Sequence, residues 1–235
     1  MSNIRLVVTS DTHRKVDPTT IPDGDVFLHV GDLMTTGYPH EFLEQVEWLA
    51  ALPHKIKLFV PGNHDFHFMV YPGPALQDMR RAGVIVLGLP GNIDFETFTL
   101  PNGMKVLGLP YVESLPRWAY SLENPEFNEH MKRTLHTNMN VDIIASHSPP
   151  HGVLDTMMNG KHRGVKEYSN HFDFVHRFQD NGNFGWATIK QPKYWFCGHV
   201  HEAYGEVDLI GTKFYNVAMS DRFGNHANPP VVLDI

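Results

Sequence analysis

The sequence of 235 residues has a single cysteine, Cys197, so it can form no internal disulfide and no zinc module built on several cysteines. Basic residues are also few, since 19 Lys and Arg stand against 26 Asp and Glu and give a formal charge of −7. This balance argues against broad electrostatic binding to nucleic-acid backbones. No apolar run approaches the roughly 20 residues that span a bilayer, and residues 1–10 lack the cleavage pattern of a signal peptide. We therefore expect a cytoplasmic protein with no membrane partner.

Histidine is the residue type that stands out, with 16 His compared with 19 Lys and Arg combined. Histidine is the commonest metal ligand and carries protons near neutral pH, so its placement bears on function. The chain is also 42% apolar, which supplies an ample buried core. It contains no internal repeat and no interdomain linker, and we expect one domain over residues 1–235.

Short apolar runs alternate with segments of helical spacing, which is typical of an α/β fold. Five runs predict buried strands that end in polar residues: Ile4–Thr9, Val26–Val30, Ile56–Val60, Val141–Ala145 and Tyr194–Cys197. Two further runs, Phe95–Leu100 and Met104–Leu109, flank Pro101-Asn102-Gly103 and predict a hairpin. Helical spacing predicts four helices, at Pro39–Leu52, Ala75–Arg81, Glu126–Met139 and Phe172–Phe178.

Polar clusters follow the five buried strands. They are Asp11-Thr12-His13, Gly31-Asp32, Gly62-Asn63-His64-Asp65, His147 and Gly198-His199-Val200-His201. Taken singly, Asp11 and Asp32 are better explained as cap or turn residues. In open α/β sheets, however, ligands bind beyond the carboxyl ends of the strands, so five such clusters favour one shared site. Carboxylate, imidazole and amide ligands suit first-row divalent metal ions, and the two oxygens of Asp32 could contact two of them.

The order DxH, GD, GNHD, His and GHxH resembles the calcineurin-like metallophosphoesterases over the stretch from Asp11 to His201. Within this superfamily the chain is most similar to the metallophosphoesterase-domain subgroup. The supporting stretches are Ser10–His13 (SDTH), Leu28–Asp32 (LHVGD), His147–Gly152 (HSPPHG), His201–Gly205 (HEAYG) and Asn228–Ile235 (NPPVVLDI). The resemblance implies a four-layered αββα sandwich, in which two mixed β-sheets pack face to face with helices outside.

The resemblance also implies two divalent metal ions as cofactors. The first ion would be held by Asp11, His13, Asp32 and His201. The second would be held by Asp32, Asn63, His147 and His199, with Asp32 bridging the pair. Mn²⁺ or iron is favoured, while Zn²⁺ and Ni²⁺ accept the same mixed nitrogen and oxygen ligands.

By the same resemblance His64 is the catalytic histidine, which would polarise the phosphate or protonate the leaving oxygen. A structural ligand or a group behind the ligands is the alternative role for His64. Asn63, His64, His67 and His151 are the residues expected to contact substrate. Asp65 either orders His64 or caps the next turn, and the sequence leaves these two roles open.

The implied reaction is phosphoester hydrolysis by in-line attack of a hydroxide that bridges the two metal ions. Protein phosphatases of this superfamily carry GDxVDRG, whereas here Thr35 and Thr36 stand at the positions of the Asp and the Arg. A site without that Arg favours singly charged phosphodiesters, and the subgroup points to small, cyclic-nucleotide-like substrates. The alternatives are a phosphomonoesterase, a nuclease or a non-catalytic scaffold on the same fold. A nuclease would need a basic groove, and no Lys/Arg cluster is longer than Arg80-Arg81 or Lys132-Arg133.

Three segments lie between the polar clusters and are expected to shape substrate choice. They are Phe66–Tyr71, Glu113–Pro125 and Val153–Tyr168.

Overall fold

The computed structural model describes residues 3–90, 96–178 and 189–235. The strands are β1 (Arg5–Thr9), β2 (Val26–Val30), β3 (Ile56–Val60), β4 (Val84–Val86), β5 (Thr97–Thr99), β6 (Lys105–Leu109), β7 (Ile143–Ser146), β8 (Tyr194–Cys197), β9 (Gly205–Leu209), β10 (Thr212–Asn216) and β11 (Val231–Asp234). The helices are α1 (Pro39–Ala51), α2 (Phe66–Val70), α3 (Pro72–Arg81), α4 (Pro125–Thr137) and α5 (Lys166–Phe178). Among the helices of these ranges, none is both long and apolar enough to cross a membrane.

The strands form two mixed sheets. One sheet has the order β11-β1-β2-β3-β4 and the other the order β5-β6-β7-β8-β10-β9. Strands β1 to β4 are parallel, as are β6, β7, β8 and β10, while β11, β5 and β9 pair antiparallel at the edges. Because parallel strands all end at the same edge of a sheet, the polar clusters after β1, β2, β3, β7 and β8 are brought to one side of the molecule.

The inner faces of the two sheets share one apolar core. Leu28 and Leu58 from the first sheet and Ile143 and Phe196 from the second belong to this core, and all four are buried. Since side chains alternate along a strand, the intervening residues face outward and require a cover of helices.

Helices supply that cover on both outer faces. On the first sheet, the Phe59 ring lies 5.3 Å from that of Phe68 in α2, which in turn lies 5.4 Å from Phe42 in α1. On the second sheet, the Phe172 ring in α5 packs edge-on against Phe214 of β10 at 5.1 Å. The layers therefore run helix, sheet, sheet, helix, and the expected αββα sandwich is confirmed.

Three helices differ from the sequence expectation, and one of them, α3, begins at Pro72 rather than at Ala75. The segment Phe66–Tyr71 contains α2, which is only five residues long and so too short to show a helical period. Helix α5 begins at Lys166 rather than at Phe172, and Tyr168 in the added turns is fully buried. The expected hairpin is present as β5 and β6, although Phe95 lies outside the described residues.

Two glycines permit the carboxyl ends of the two sheets to touch. Gly31 has a φ of +101°, and a Cβ there would lie 2.2 Å from Nδ1 of His147. At Gly198 the constraint is close approach, because a Cβ would lie 2.0 Å from Oγ of Ser10 and 2.2 Å from Oδ2 of Asp11. A side chain at either position would push apart the edge on which the polar clusters meet.

Replacing Gly198 by alanine is expected to lower the free energy of unfolding by about 1–3 kcal/mol, because the methyl group would overlap Ser10 and Asp11. Gly73→Ala in α3 is the matched control, since an added Cβ there meets no described atom within 4 Å. The control is expected to stay within about 1 kcal/mol of wild type. Urea unfolding measures both variants, and equal stability of the two would contradict the close approach.

Candidate functional site

The polar clusters converge at the carboxyl edge of the two sheets. Asp11, Asp32 and Asn63 follow β1, β2 and β3, while His147 and His199 follow β7 and β8. Asp11 and His147 are completely buried, and Asp32 and Asn63 are almost so. Asp11, Asp32 and His199 have φ values of +54°, +56° and +65°, a left-handed backbone that is uncommon outside glycine. Backbone strain of this kind clusters at functional sites.

Asp32 lies between two groups of potential metal ligands. Its Oδ1 is 3.3 Å from Nε2 of His147, whereas its Oδ2 is 3.9 Å from Nε2 of both His13 and His64. The ligand atoms lie within 4.8 Å of one another in each of three groups: Asp11, His13 and His201; His13, Asp32 and His64; and Asp32, His147 and His199. The two oxygens of one carboxylate thus face opposite halves of the site.

Further contacts define each half. In the first, Oδ1 of Asp11 is 3.2 Å from Nε2 of His201, and the rings of His13 and His201 are 5.4 Å apart. In the second, Nε2 of His147 is 3.1 Å from Oδ1 of Asn63. The ring of His199 lies 5.1 Å from that of His147. The structure therefore brings together all seven residues that the sequence analysis assigned to metal binding.

Three of the histidines are oriented by backbone carbonyls at Nδ1. His13 donates from Nδ1 to the carbonyl of Met34 at 3.0 Å, His147 to that of Val30 at 3.0 Å, and His201 to that of Asp221 at 2.9 Å. A donor at Nδ1 leaves the lone pair of Nε2 for a metal ion, and such partners are typical of ligand histidines. The carboxylates, imidazoles and amide oxygen of this site are a donor set that fits divalent metal ions.

The electrostatics of the buried groups point to a site built for cations. Burial opposes ionisation of Asp11 and Asp32, but the neighbouring His201 and His147 hold the pKa of each carboxyl below its ordinary value. Burial likewise opposes the charging of His147 and His201, yet Asp32 and Asp11 raise the pKa of each imidazole to about 9. Without a metal ion, protons on these imidazoles balance the two carboxylates.

His64 points into the open side of the site. Its Nδ1 donates to the carbonyl of Thr35 at 2.6 Å, and its ring lies 4.5 Å from that of Trp118. A backbone carbonyl therefore orients the ring of His64. Because Nε2 of His64 is also within reach of His13 and Asp32, the geometry accommodates both the catalytic and the ligand role.

Asp65 joins two of the loops that carry the site. Its Oδ2 accepts from the amides of Asp32 at 2.9 Å and Gly62 at 2.7 Å, and its Oδ1 accepts from the amide of Met34 at 3.0 Å. Asp65 is fully buried. Its hydrogen bonds to the described residues come from backbone amides rather than from the His64 side chain, so its role is to fix the loop after β2 against the loop after β3.

A cleft of about 330 Å³ opens over the site. Two of the three segments expected to shape substrate choice contribute to it, through Glu113, Leu115 and Trp118 and through Met157 and Arg163. The two arginines of the cleft, Arg163 and Arg222, are not predicted from the sequence. Their connecting segments have no periodic pattern, so no spacing signal could have singled them out.

Glu113 connects the cleft wall to a potential metal ligand. Its Oε2 is 3.3 Å from Nε2 of His199, and its Oε1 is 3.2 Å from Nη1 of Arg163. Burial opposes its ionisation, but the nearby imidazole of His199, aided by Arg163, keeps the pKa of Glu113 below its ordinary value. Glu113 is therefore an anion beside the second group of ligands, and the sequence analysis did not single it out.

Two of the residues expected to contact substrate, His67 and His151, lie outside the cleft. The ring of His67 stacks on Phe42 at 4.2 Å, because α2 turns this side chain toward α1. The ring of His151 lies 5.1 Å from that of His162, beside a separate cavity. Among the described residues that line the cleft over the site, Asn63 and His64 are present and these two are not.

The chain is similar to known proteins over most of its length. Residues 4–203 match the model of the family described as calcineurin-like phosphoesterase. The chain is 28% identical to human metallophosphoesterase domain-containing protein 1, over 98% of this chain and 71% of the relative. It is 29% identical to a UPF0046 protein of Caenorhabditis elegans, over 100% of this chain and 82% of the relative.

Metal binding is expected to strengthen as the pH rises from 6.5 towards 9, because an ion must displace protons from His147 and His201, whose pKa values are about 9. Calorimetric titration of Mn²⁺ into the metal-free protein, without oxygen and in two buffers of different ionisation enthalpy, measures both affinity and released protons. A constant affinity across this range, or no proton release, would contradict the assignment of these imidazoles as ligands.

Replacing Asp65 by asparagine is expected to weaken both the fold and the site, because the side-chain NH₂ takes the place of one oxygen and cannot accept from the amides bonded to it, those of Asp32 and Gly62 or that of Met34. One unpaired buried amide costs about 1–3 kcal/mol of unfolding free energy, and a displaced Asp32 would lower Mn²⁺ affinity. Asp17→Asn is the control, since exposed Asp17 accepts from the amide of Thr19 at a helix start, where Asn substitutes well. Wild-type stability and metal affinity in Asp65→Asn would disprove the role assigned to Asp65.

Proposed function

The chain belongs to the calcineurin-like phosphoesterase family, and we propose that it hydrolyses small phosphodiesters, of the cyclic-nucleotide kind, with two divalent metal ions. The observation that carries this proposal is the placement of Asp32, whose Oδ1 faces His147 and whose Oδ2 faces His13. A carboxylate placed in this way can be shared by two ions. One ion alone would leave half of the buried ligands without a partner.

The residues of the site have two roles, which are to bind the metal ions and to act on the ester. Asp11, His13 and His201 would hold one ion, Asn63, His147 and His199 the other, and Asp32 both. When bound, the ions lower the pKa of a coordinated water and offset the charge of the phosphoryl oxygens.

His64 is the group left to act on the ester. Its Nδ1 is anchored on the Thr35 carbonyl, so Nε2 is directed into the cleft. From there a protonated His64 can donate a hydrogen bond to a phosphoryl oxygen, or its proton to the leaving oxygen.

The charge of the cleft supports a singly charged substrate. Arg163 and Arg222 line it, but so do Glu113 and Glu202, and Arg163 is 3.2 Å from Glu113. The side chains around the metal ligands therefore add little net positive charge to that of the ions. A phosphodiester, with one negative charge, suits this balance better than a dianionic monoester does.

The walls of the cleft support a substrate with a flat, partly apolar group. Trp118 is 39% exposed and lies beside His64, and Leu115 and Met157 line the same cleft. An aromatic ring or a nucleobase could stack on the indole of Trp118 while the phosphate reaches the ions. A volume of about 330 Å³ is at the small end of the range for ligand sites.

We further propose Mn²⁺ or iron as the metal and a cytoplasmic location. Imidazole and carboxylate ligands suit these metals. The single cysteine, Cys197, is free and buried, which suits a reducing compartment.

The test is an assay of the Mn²⁺-loaded protein on a bis-aryl phosphate, a mono-aryl phosphate, cyclic nucleotides and single-stranded DNA. We expect kcat/KM for the diesters to exceed that for the monoester by about tenfold or more. Asp32→Asn is expected to lower kcat/KM by about 100-fold or more, because it removes the shared carboxylate.

Each substrate in this assay distinguishes the proposed activity from one alternative function. Preference for the mono-aryl phosphate would identify a phosphomonoesterase, and preference for DNA would identify a nuclease. Turnover of every substrate no greater than that of Asp32→Asn would favour the scaffold and end the enzymatic proposal.

A further inference from the structure

His199 differs from the other histidines of the site in what orients it. His13, His147 and His201 are each fixed by a backbone carbonyl at Nδ1, which leaves Nε2 for a metal ion. In His199 it is Nε2 that faces a carboxylate outside the ligand groups, that of Glu113 at 3.3 Å, whereas Nε2 of His147 and of His201 faces carboxylates that belong to those groups. A nitrogen that donates a proton to a carboxylate cannot also bind a metal ion, so Nδ1 of His199 is the nitrogen available as a ligand.

Glu113 is itself held in place for this contact. Its other oxygen, Oε1, is 3.2 Å from Nη1 of Arg163. The chain beside it is tied down, since the amide of Val112 donates to the carbonyl of Tyr120 and the amide of Leu115 donates to Oγ of Ser121.

The oxygen that faces His199 has no competing partner. Glu113 Oε2 is buried, and among the described residues no conventional hydrogen bond satisfies it. A buried carboxylate oxygen without a hydrogen bond is costly, and the imidazole of His199, 3.3 Å away, is placed to offset that cost.

We propose that Glu113 is a positioning residue, which holds Nε2 of His199 so that Nδ1 points to the second metal ion. This inference rests on the proposed two-metal function. It makes His199 the ligand imidazole whose orientation is set by a side chain rather than by the backbone. A substitution can therefore remove the orienting group without breaking the main chain.

The two variants Glu113→Ala and Glu113→Gln test this role. Alanine removes the acceptor, and we expect the affinity for the second ion to fall about 10–100-fold while the first ion binds as in wild type. Glutamine keeps a carbonyl oxygen that can accept from Nε2, so its affinity for the second ion is expected to stay within about fivefold of wild type. Calorimetric titration of Mn²⁺ into the metal-free protein measures both sites.

Glu129→Ala is the matched control, because exposed Glu129 pairs with Lys132 on α4 at 3.6 Å, away from the site. It is expected to bind both ions as wild type does. Wild-type binding of both ions by Glu113→Ala would overturn the proposal. Equal loss of the second ion in the Ala and Gln variants would also overturn it, because the negative charge rather than the hydrogen bond would then matter.

This titration does not depend on turnover. The role of Glu113 is therefore decided separately from the substrate: a wild-type protein that binds two ions but hydrolyses none of the esters would refute the proposed activity alone. Binding of a single ion by wild type would refute both.

Discussion

Two carboxylates buried side by side cannot remain ionised without positive charge next to them, and the rest of this site follows from that constraint. Asp11 is 0% exposed and Asp32 is 2% exposed. In the metal-free chain the positive charge comes from protonated His147 and His201, whose pKa values are raised to about 9. Removing one partner from such a buried cluster leaves an uncompensated charge, which is strongly destabilising. Metal ions and protons thus compete for the same ligands, and stability and metal binding are coupled.

Holding these groups together requires a strained backbone, and hydrogen bonds support it where the strain occurs. Asp11, Asp32 and His199 have left-handed φ values, which cost on the order of 1–3 kcal/mol each. The amide of each has a partner at 2.9 Å: the carbonyl of Gly31, Oδ2 of Asp65 and Oδ2 of Asp11, respectively. The ligands are therefore preorganised by the chain itself, and an ion entering the site does not have to order the loops.

The proposed metal ligands can be predicted well from the sequence, because most of them directly follow buried strands. Buried β-branched runs predict strands, and a polar cluster directly after such a run indicates the edge where parallel strands end together. This pattern predicts the positions of Asp11, Asp32 and His147. Glu113, Arg163 and Arg222 could not be found in this way, because they lie on connecting segments whose paths depend on tertiary packing. For the same reason His67, three residues beyond His64, was assigned to the substrate, whereas α2 turns it against Phe42.

The division between strand ends and connecting segments has a consequence for how substrate choice can vary. The cleft is also lined by Trp118, Met157 and Arg222, which contribute no group to the clusters of potential metal ligands. Their replacement can therefore change which ester fits the cleft without changing those ligands. Glu113 is different, since it belongs to a connecting segment, lines the cleft and faces His199. Because Glu113 contacts both Arg163 and His199, it influences the charge of the cleft wall and also the orientation of a metal ligand. Removal of the Glu113 carboxyl group by alanine is therefore expected to alter substrate affinity and metal affinity together.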